Sequence, residues 1–159
     1  MIDVGANVGD TATLVAATSP DVRMLCVEGS ARFAPMLVRN VGAHHVRAEI
    51  ANTKVGDGAA RSVSAVEGGG TGRLVSNDDS PARDTLPLDD LIASHPDFAR
   101  PLLLKIYTDG DDFAVLRGAV RLIAAAEPIL YVELHATLLE EAGERAEAMI
   151  AWLAEAGYR

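Results

Sequence analysis

Asp3, Gly5, Asn7 and Gly9 recur at every second position of Asp3-Val4-Gly5-Ala6-Asn7-Val8-Gly9-Asp10, and Glu28-Gly29 follows the apolar run Met24-Leu25-Cys26-Val27. Residues of these types, so spaced, can hold a nucleoside. Glycine at 5 and 9 permits positive φ and a close approach of backbone to ligand, which a Cβ would prevent. A helix opening after the turn offers unpaired N–H groups to whatever lies above it. In a βαβ unit, an acid at the tip of the next strand can accept hydrogen bonds from both hydroxyls of a ribose. Glycine turn and ribose acid together point to a nucleoside-containing cofactor. The competing reading is an ordinary strand-to-helix turn followed by a solvated glutamate. The spacing Asp-x-Gly-x-Asn-x-Gly is not the Gly-x-Gly-x-x-Gly of dinucleotide dehydrogenases, so a nicotinamide-dependent oxidoreductase would suit the fold but not this turn.

Further along, Lys105 lies inside an apolar strand, where an unpaired ammonium is costly. It therefore needs a carboxylate partner or a route to solvent, and both a structural ion pair and a catalytic or substrate-positioning role fit it. Asp109, Asp111 and Asp112 cluster around Gly110. Such a cluster can coordinate a hard cation, but aspartates at a helix start also favour the helix dipole; the second reading is preferred and no metal is expected. Glu133 and His135 share one side of an extended strand by its period of two, and His135 has the chemistry of a general base toward a hydroxyl. His44 and His45 read as loop residues. Cys26, the single cysteine, sits in an apolar strand and reads as core.

The segments Asp3–Asp10 and Val27–Gly29 resemble the first two motifs of S-adenosylmethionine-dependent methyltransferases. With Leu88-Asp89-Asp90-Leu91-Ile92, Leu104-Lys105-Ile106-Tyr107-Thr108-Asp109-Gly110, Val115-Leu116-Arg117-Gly118-Ala119 and Pro128-Ile129-Leu130-Tyr131-Val132-Glu133, their order and spacing are similar to those of the FkbM family of O-methyltransferases. The block from Lys105 to Gly118 is the specific part. The resemblance implies a Rossmann-like class I methyltransferase fold, S-adenosylmethionine as cofactor, and methyl transfer to a hydroxyl of a small molecule or sugar. It also implies roles. Gly5, Asn7, Gly9 and Gly29 would bring backbone to the cofactor, and Glu28 would hold the ribose. Asp3 would order the turn or meet the amino end of the methionine moiety through water, and Asn52 would meet the adenine edge or serve as a turn residue. Lys105, Asp109 and His135 are the candidates for chemistry. Tyr107 departs from the pattern: the family usually carries aspartate there, and a phenol is a poor substitute for an acid at neutral pH. A cofactor-binding but catalytically impaired accessory module is therefore the alternative function.

These residues need elements to position them, and strands alternate with helices along the chain. Helices are expected at Thr11–Ala17, at Ser30–Val41 with Phe33, Leu37 and Val41 on one stripe and Gly42 closing it, and at Leu88–Ala93. Two longer ones are expected at Asp111–Ala125 and Leu138–Ala156. Strands are expected at Arg23–Val27, Val46–Ile50, Leu102–Ile106 and Pro128–Leu134, besides the one ending at Val4. Between Val55 and Ser80 the pattern loosens around Gly56-Asp57-Gly58 and Gly68-Gly69-Gly70, and Arg61–Val66 and Gly72–Val75 are placed to pair as a hairpin. Alternation of this kind predicts a mostly parallel sheet covered by helices on both faces. The ligand crevice belongs at the carboxyl ends of the strands, where Asp3–Gly9, Glu28–Gly29, Ala51–Asn52, Tyr107–Gly110 and Glu133–His135 all fall.

At 159 residues the chain suits one domain. A formal charge of −9 argues against nonspecific nucleic-acid binding, because no basic surplus exists to displace phosphate counterions. No apolar run approaches the ~20 residues of a membrane helix and no secretory signal is visible, so a cytoplasmic location is expected. Only Met1 and Ile2 precede Asp3, and the chain stops at Gly157-Tyr158-Arg159; a shortened fold or a fragment of a larger product is expected. Sheet edges left unpaired would invite homo-oligomerisation.

Overall fold

The computed structural model describes residues 1–68, 71–76 and 82–159, with side chains described outside 60–84. The chain runs β1 (Ile2–Val4), α1 (Asp10–Thr18), β2 (Met24–Val27), α2 (Ala34–Ala43), β3 (Ala48–Ala51) and β4 (Val55–Gly56), then β5 (Ala60–Gly68), β6 (Thr71–Ser76), β7 (Ala82–Asp84) and β8 (Leu86–Pro87). It continues through α3 (Leu88–Ala93), β9 (Leu103–Ile106), α4 (Asp112–Arg117), α5 (Val120–Ala126), β10 (Ile129–Val132), α6 (Ala136–Glu141) and α7 (Ala146–Glu155). Five strands form one parallel sheet in the order β10-β9-β1-β2-β3. The chain builds outward from β1 through β2 to β3, then returns to the other side of β1 with β9 and β10. The strand order therefore reverses between β1 and β9, and open α/β sheets bind ligands above such a reversal.

Period-two alternation sorts the strand side chains onto two faces. Ile2, Val4, Leu25, Val27, Leu104 and Ile106 enter the larger core, with Leu88 and Leu91 of α3, Leu116 of α4, Leu122 of α5 and Met149 of α7. Met24 and Cys26 point the other way and pack with Ala12 of α1 and with Leu37 and Val41 of α2. Cys26 is core, as its surroundings predicted; burial pushes its thiol up to about 12. Helices α1 and α2 accompany β1, β2 and β3. On the same face Ile129 and Tyr131 of β10 are exposed.

The hairpin expected in the loosened stretch is present. β5 pairs with β6 antiparallel, Ser64 opposite Val75 and Val66 opposite Arg73, and β7 joins the other edge of β5. Gly69, Gly70 and the segment 77–81 lie outside the described residues. A parallel bridge between β4 and β8 closes the base of this insertion.

Three expected helices differ. Ser30 does cap, its Oγ accepting from Arg32 N at 3.1 Å and Phe33 N at 3.3 Å, but three turn residues intervene and α2 proper starts at Ala34 and runs through Gly42 to Ala43. Asp111–Ala125 is two helices. The chain stops helical winding at Gly118 because that residue lies against β4: a Cβ on it would stand 1.8 Å from the Gly56 carbonyl oxygen. Helix α5 then restarts with its first N–H groups held by Asp89 of α3, which accepts from Leu122 N at 2.8 Å and Arg121 N at 2.9 Å. Leu138–Ala156 is likewise divided. α6 begins two residues earlier than expected, and Gly143 at φ +79° separates it from α7.

The break at Gly118 is a packing requirement, so Gly118→Ala should destabilise the fold by about 2–3 kcal/mol, the scale of an overpacked interior site. Chemical denaturation checks this, with an exposed control at Gly42, where an added Cβ meets nothing within 4 Å.

Candidate functional site

The turn after β1 is built from left-handed residues. Gly5 (φ +74°), Asn7 (φ +49°) and Gly9 (φ +88°) alternate with ordinary ones, which curls the backbone tightly enough for Gly5 N and Ala6 N both to donate to Val27 O, at 3.0 and 3.1 Å. Gly5 is required by close approach: a Cβ there would stand 1.8 Å from the Tyr107 carbonyl oxygen. Gly9 serves packing, its absent side chain making room for Leu37. Gly29 does the same for Lys54, whose Cγ would be 2.7 Å from a Cβ at 29.

Glu28 is buried at the tip of β2. One carboxylate oxygen accepts from Asn7 N at 2.7 Å, the other from Ser30 N at 2.7 Å. Two backbone donors thus fix the carboxylate, and an ionised carboxylate, with about four acceptor sites, keeps two for a ligand. Two remaining acceptors match the two hydroxyl donors of a ribose. Asn52 ties the end of β3 to the end of β2, its Nδ2 donating to Glu28 O at 2.6 Å.

Asp3 and Lys105 are register partners on β1 and β9, and Lys105 Nζ donates to Asp3 Oδ1 at 2.6 Å with both side chains buried. Lys105 thus has the carboxylate partner its apolar strand required. Asp3 is 0% exposed, and its second oxygen, Oδ2, has no hydrogen-bond partner among the described residues. Burial pushes the Asp3 carboxyl above its ordinary range, and the Lys105 ammonium works against that rise. Nζ also donates to Gly5 O at 3.3 Å, so the pair orders the glycine turn from below.

Tyr107 is partly exposed at the end of β9, its ring centroid 5.6 Å from Lys105 Nζ. Its neighbour Glu133, at the end of β10, is anchored by a backbone donation to Ile106 O at 3.1 Å. Glu133 is raised above the usual carboxylate range, first by burial and then by Asp112 and Asp109, and its Oε2 has no hydrogen-bond partner among the described residues. The negative charge of Glu133 raises the Tyr107 phenol in turn.

Asp112 folds the intervening loop, accepting from Thr108 N at 2.9 Å and Gly110 N at 3.1 Å. Asp112 stands in the first turn of α4, yet its carboxylate braces the loop before the helix rather than the helix's own N–H groups. Asp109 takes a left-handed conformation (φ +52°) beside them. His135 is not the free base expected of it. Its Nδ1 accepts from Leu138 N at 3.3 Å and caps α6, which in the neutral ring places the proton on Nε2. His44 and His45 are exposed beyond α2, as loop residues should be.

A groove of about 790 Å³ runs down the sheet face beside α1, with Gly5, Asn7, Lys105 and Tyr107 at one end and Leu14, Ile129 and Tyr131 along its walls; Glu28 and Glu133 do not line it. Its size lies within the usual span of ligand pockets. A mostly parallel, Rossmann-like α/β sheet with its strand order reversing at β1 and β9 is the class these features define. The model of the "Methyltransferase FkbM domain" matches residues 3–159, and the chain belongs to that family. A crystal structure of a methyltransferase FkbM from Methylobacillus flagellatus superposes with a TM-score of 0.61 at 19% identity, covering 95% of this chain and 36% of the other. That likeness is one of fold, and the chain spans about a third of that protein. No curated protein matches.

Sequence reasoning missed the Asp112 turn, the Asp89 cap and the network in which Arg117 reaches Asp57 at 2.9 Å and Glu144 at 2.5 Å. Only the last carried a signal: an arginine in the last turn of an otherwise apolar helix must find anions.

Because Asp3 and Lys105 neutralise one another out of water, removing one partner leaves an uncompensated buried charge, at a cost of roughly 3–5 kcal/mol. Lys105→Met should show this loss in equilibrium unfolding, and the double variant Asp3→Asn/Lys105→Met should recover much of it. Equal stability of the single and double variants would contradict the pairing.

Proposed function

We propose that this chain is an S-adenosylmethionine-binding domain that supports methyl transfer to a hydroxyl of a small molecule or sugar. The observation that carries the reading is Glu28, fixed by Asn7 N and Ser30 N with acceptor capacity left over. Membership of a methyltransferase family supports the methyl donor, and the groove beside Lys105 and Tyr107 offers room for an acceptor.

S-adenosylmethionine supplies an activated methyl group on a sulfonium that is already a good leaving group. The chain's own contribution is then positional. Glu28 holds the ribose and the Gly5–Gly9 turn brings backbone against the ligand. The Asp3–Lys105 pair holds that turn in place, and Tyr107 stands at the mouth of the groove. An alcohol acceptor must also lose a proton around transfer. His135 has one ring nitrogen engaged in its cap, so the half-buried Glu133 is the carboxylate proposed to take it.

Calorimetric titration of S-adenosylhomocysteine tests the reading. Saturable binding is expected, reduced roughly 10- to 100-fold in Glu28→Ala, the scale of a lost hydrogen-bonded charge, in protein whose circular dichroism shows the fold retained. Absence of binding to folded protein would reject the cofactor assignment. Tight binding without methyl transfer to any hydroxyl acceptor would favour an accessory module, the reading to which Tyr107 lends weight.

A further inference from the structure

The five-stranded sheet ends on β10. Ile129 N donates to Leu102 O and Glu133 N to Ile106 O, so the odd-numbered residues turn their backbone groups toward β9. Those of Leu130 and Val132 face outward, where no described strand pairs with them. The usual protections of a sheet edge are missing here. Ile129-Leu130-Tyr131-Val132 contains no charge and no proline, and its register with β9 runs without a bulge. The opposite edge differs: β3 carries the charged Glu49, bound by Arg23 at 3.3 Å.

Apolar side chains border this edge. Leu130 and Val132 pack toward the larger core, whereas Ile129 and Tyr131 stand on the other face, 62% and 65% exposed, and wall the groove beside α1. A strand added to β10 would gain backbone partners and apolar contacts together. The edge is also complementary to itself. Antiparallel pairing of two β10 strands sets Leu130 of each opposite Val132 of the other, each pair exchanging both of its N–H···O bonds. A shift toward Pro128 is closed, since proline has no N–H and the Pro128 carbonyl already accepts from the Tyr158 hydroxyl at 2.9 Å. A shift toward Leu134 leaves the strand and brings the two copies of Glu133 to about 7 Å along the ladder, against about 14 Å in the first register. Only the larger separation exceeds the Debye length of about 8 Å at physiological salt.

We propose that the chain pairs with a second copy of itself through β10, as a symmetric dimer with its two-fold axis at Tyr131. Each contact is then made twice by one short segment, as an isologous interface requires. The two sheets become one. Tyr131 meets the Tyr131 of the second copy as a non-hydrogen-bonded pair, with both rings on the groove face. Because the axis stands perpendicular to the joined sheet, both grooves lie on the same face and meet at the seam. Each groove thereby gains an outer wall from the other copy's tyrosine. The pairing does not depend on the cofactor reading.

Cysteine cross-linking reads this register. A non-hydrogen-bonded antiparallel pair sets its Cα atoms about 4.5 Å apart, within the ~4.4–6.8 Å that a disulfide spans, and the native Cys26 is buried. Tyr131→Cys should give a disulfide-linked dimer on mild oxidation. Ile129→Cys, about 14 Å from its counterpart along the ladder, should not. Sedimentation of the unsubstituted chain at roughly 1–100 μM should show monomer and dimer in exchange, as a small interface predicts. Tyr131→Lys sets like charges opposite one another at the axis and should weaken the dimer at least about 10-fold with circular dichroism unchanged. A monomer at every concentration would overturn the proposal. So would equal cross-linking at 129 and 131, or association that Tyr131→Lys leaves intact, since either would place the contact elsewhere.

Discussion

The parallel ladder between β1 and β9 joins residues about a hundred positions apart, and its register is marked by one buried ion pair. Asp3 and Lys105 lie opposite one another, Asp3 fully buried and Lys105 nearly so. A one-residue slip of β9 against β1 would turn Lys105 to the opposite face, into the apolar core around Val4 and Leu25, and leave Asp3 without its partner. Buried pairs of this kind add little net stability over an apolar replacement. Their effect here is on specificity, because every misregistered pairing leaves an uncompensated charge. The same ammonium donates to Gly5 O, so the interaction that aligns the central strands also shapes the turn above them.

The crevice follows from that alignment. With β1 and β9 adjacent, Gly5 meets the Tyr107 backbone closely enough to exclude any Cβ, and the chain reversal falls between these two strands. Glu28, at the tip of the flanking strand β2, then leans inward toward the turn after β1, where Asn7 N holds it. Few of the residues at this edge are idle. Asn52 braces the Glu28 backbone, Asp112 braces the loop after β9, and His135 caps the helix after β10. Groups that would be candidates for chemistry by type are in fact bound to backbone, and the acceptors left open at Glu28 and Glu133 stand out against them.

Away from the crevice, close backbone contacts decide where helices stop. Gly118 ends α4 because β4 passes over it, and Asp89 restarts α5 by supplying acceptors to its first N–H groups. Arg117, at the end of α4, gathers Asp57 from the insertion and Glu144 from the loop before α7. One half-buried guanidinium therefore links three segments distant in sequence, and its planar fork is suited to two carboxylates at once.

The alternation of strands and helices, the glycine turn, the acid at the tip of β2 and the hairpin were legible from the sequence, because each rests on local chemistry. Apolar period distinguishes strand from helix, positive φ selects glycine, and a polar residue at a strand tip lies at the sheet's edge by geometry. The need of Lys105 for an anion was legible too; that the anion is Asp3 was not, since strand order is set by packing and crossovers over a hundred residues. For the same reason the division of Asp111–Ala125 and Leu138–Ala156 into shorter helices was invisible: both carry continuous helical periodicity, and the obstruction at Gly118 comes from another part of the chain. The capping of α6 by His135 and the engagement of Asn52 with Glu28 likewise depend on which backbone groups arrive beside them. Side-chain chemistry is inscribed residue by residue, whereas the identity of each partner is decided only when the sheet assembles and brings distant donors and acceptors within hydrogen-bond reach.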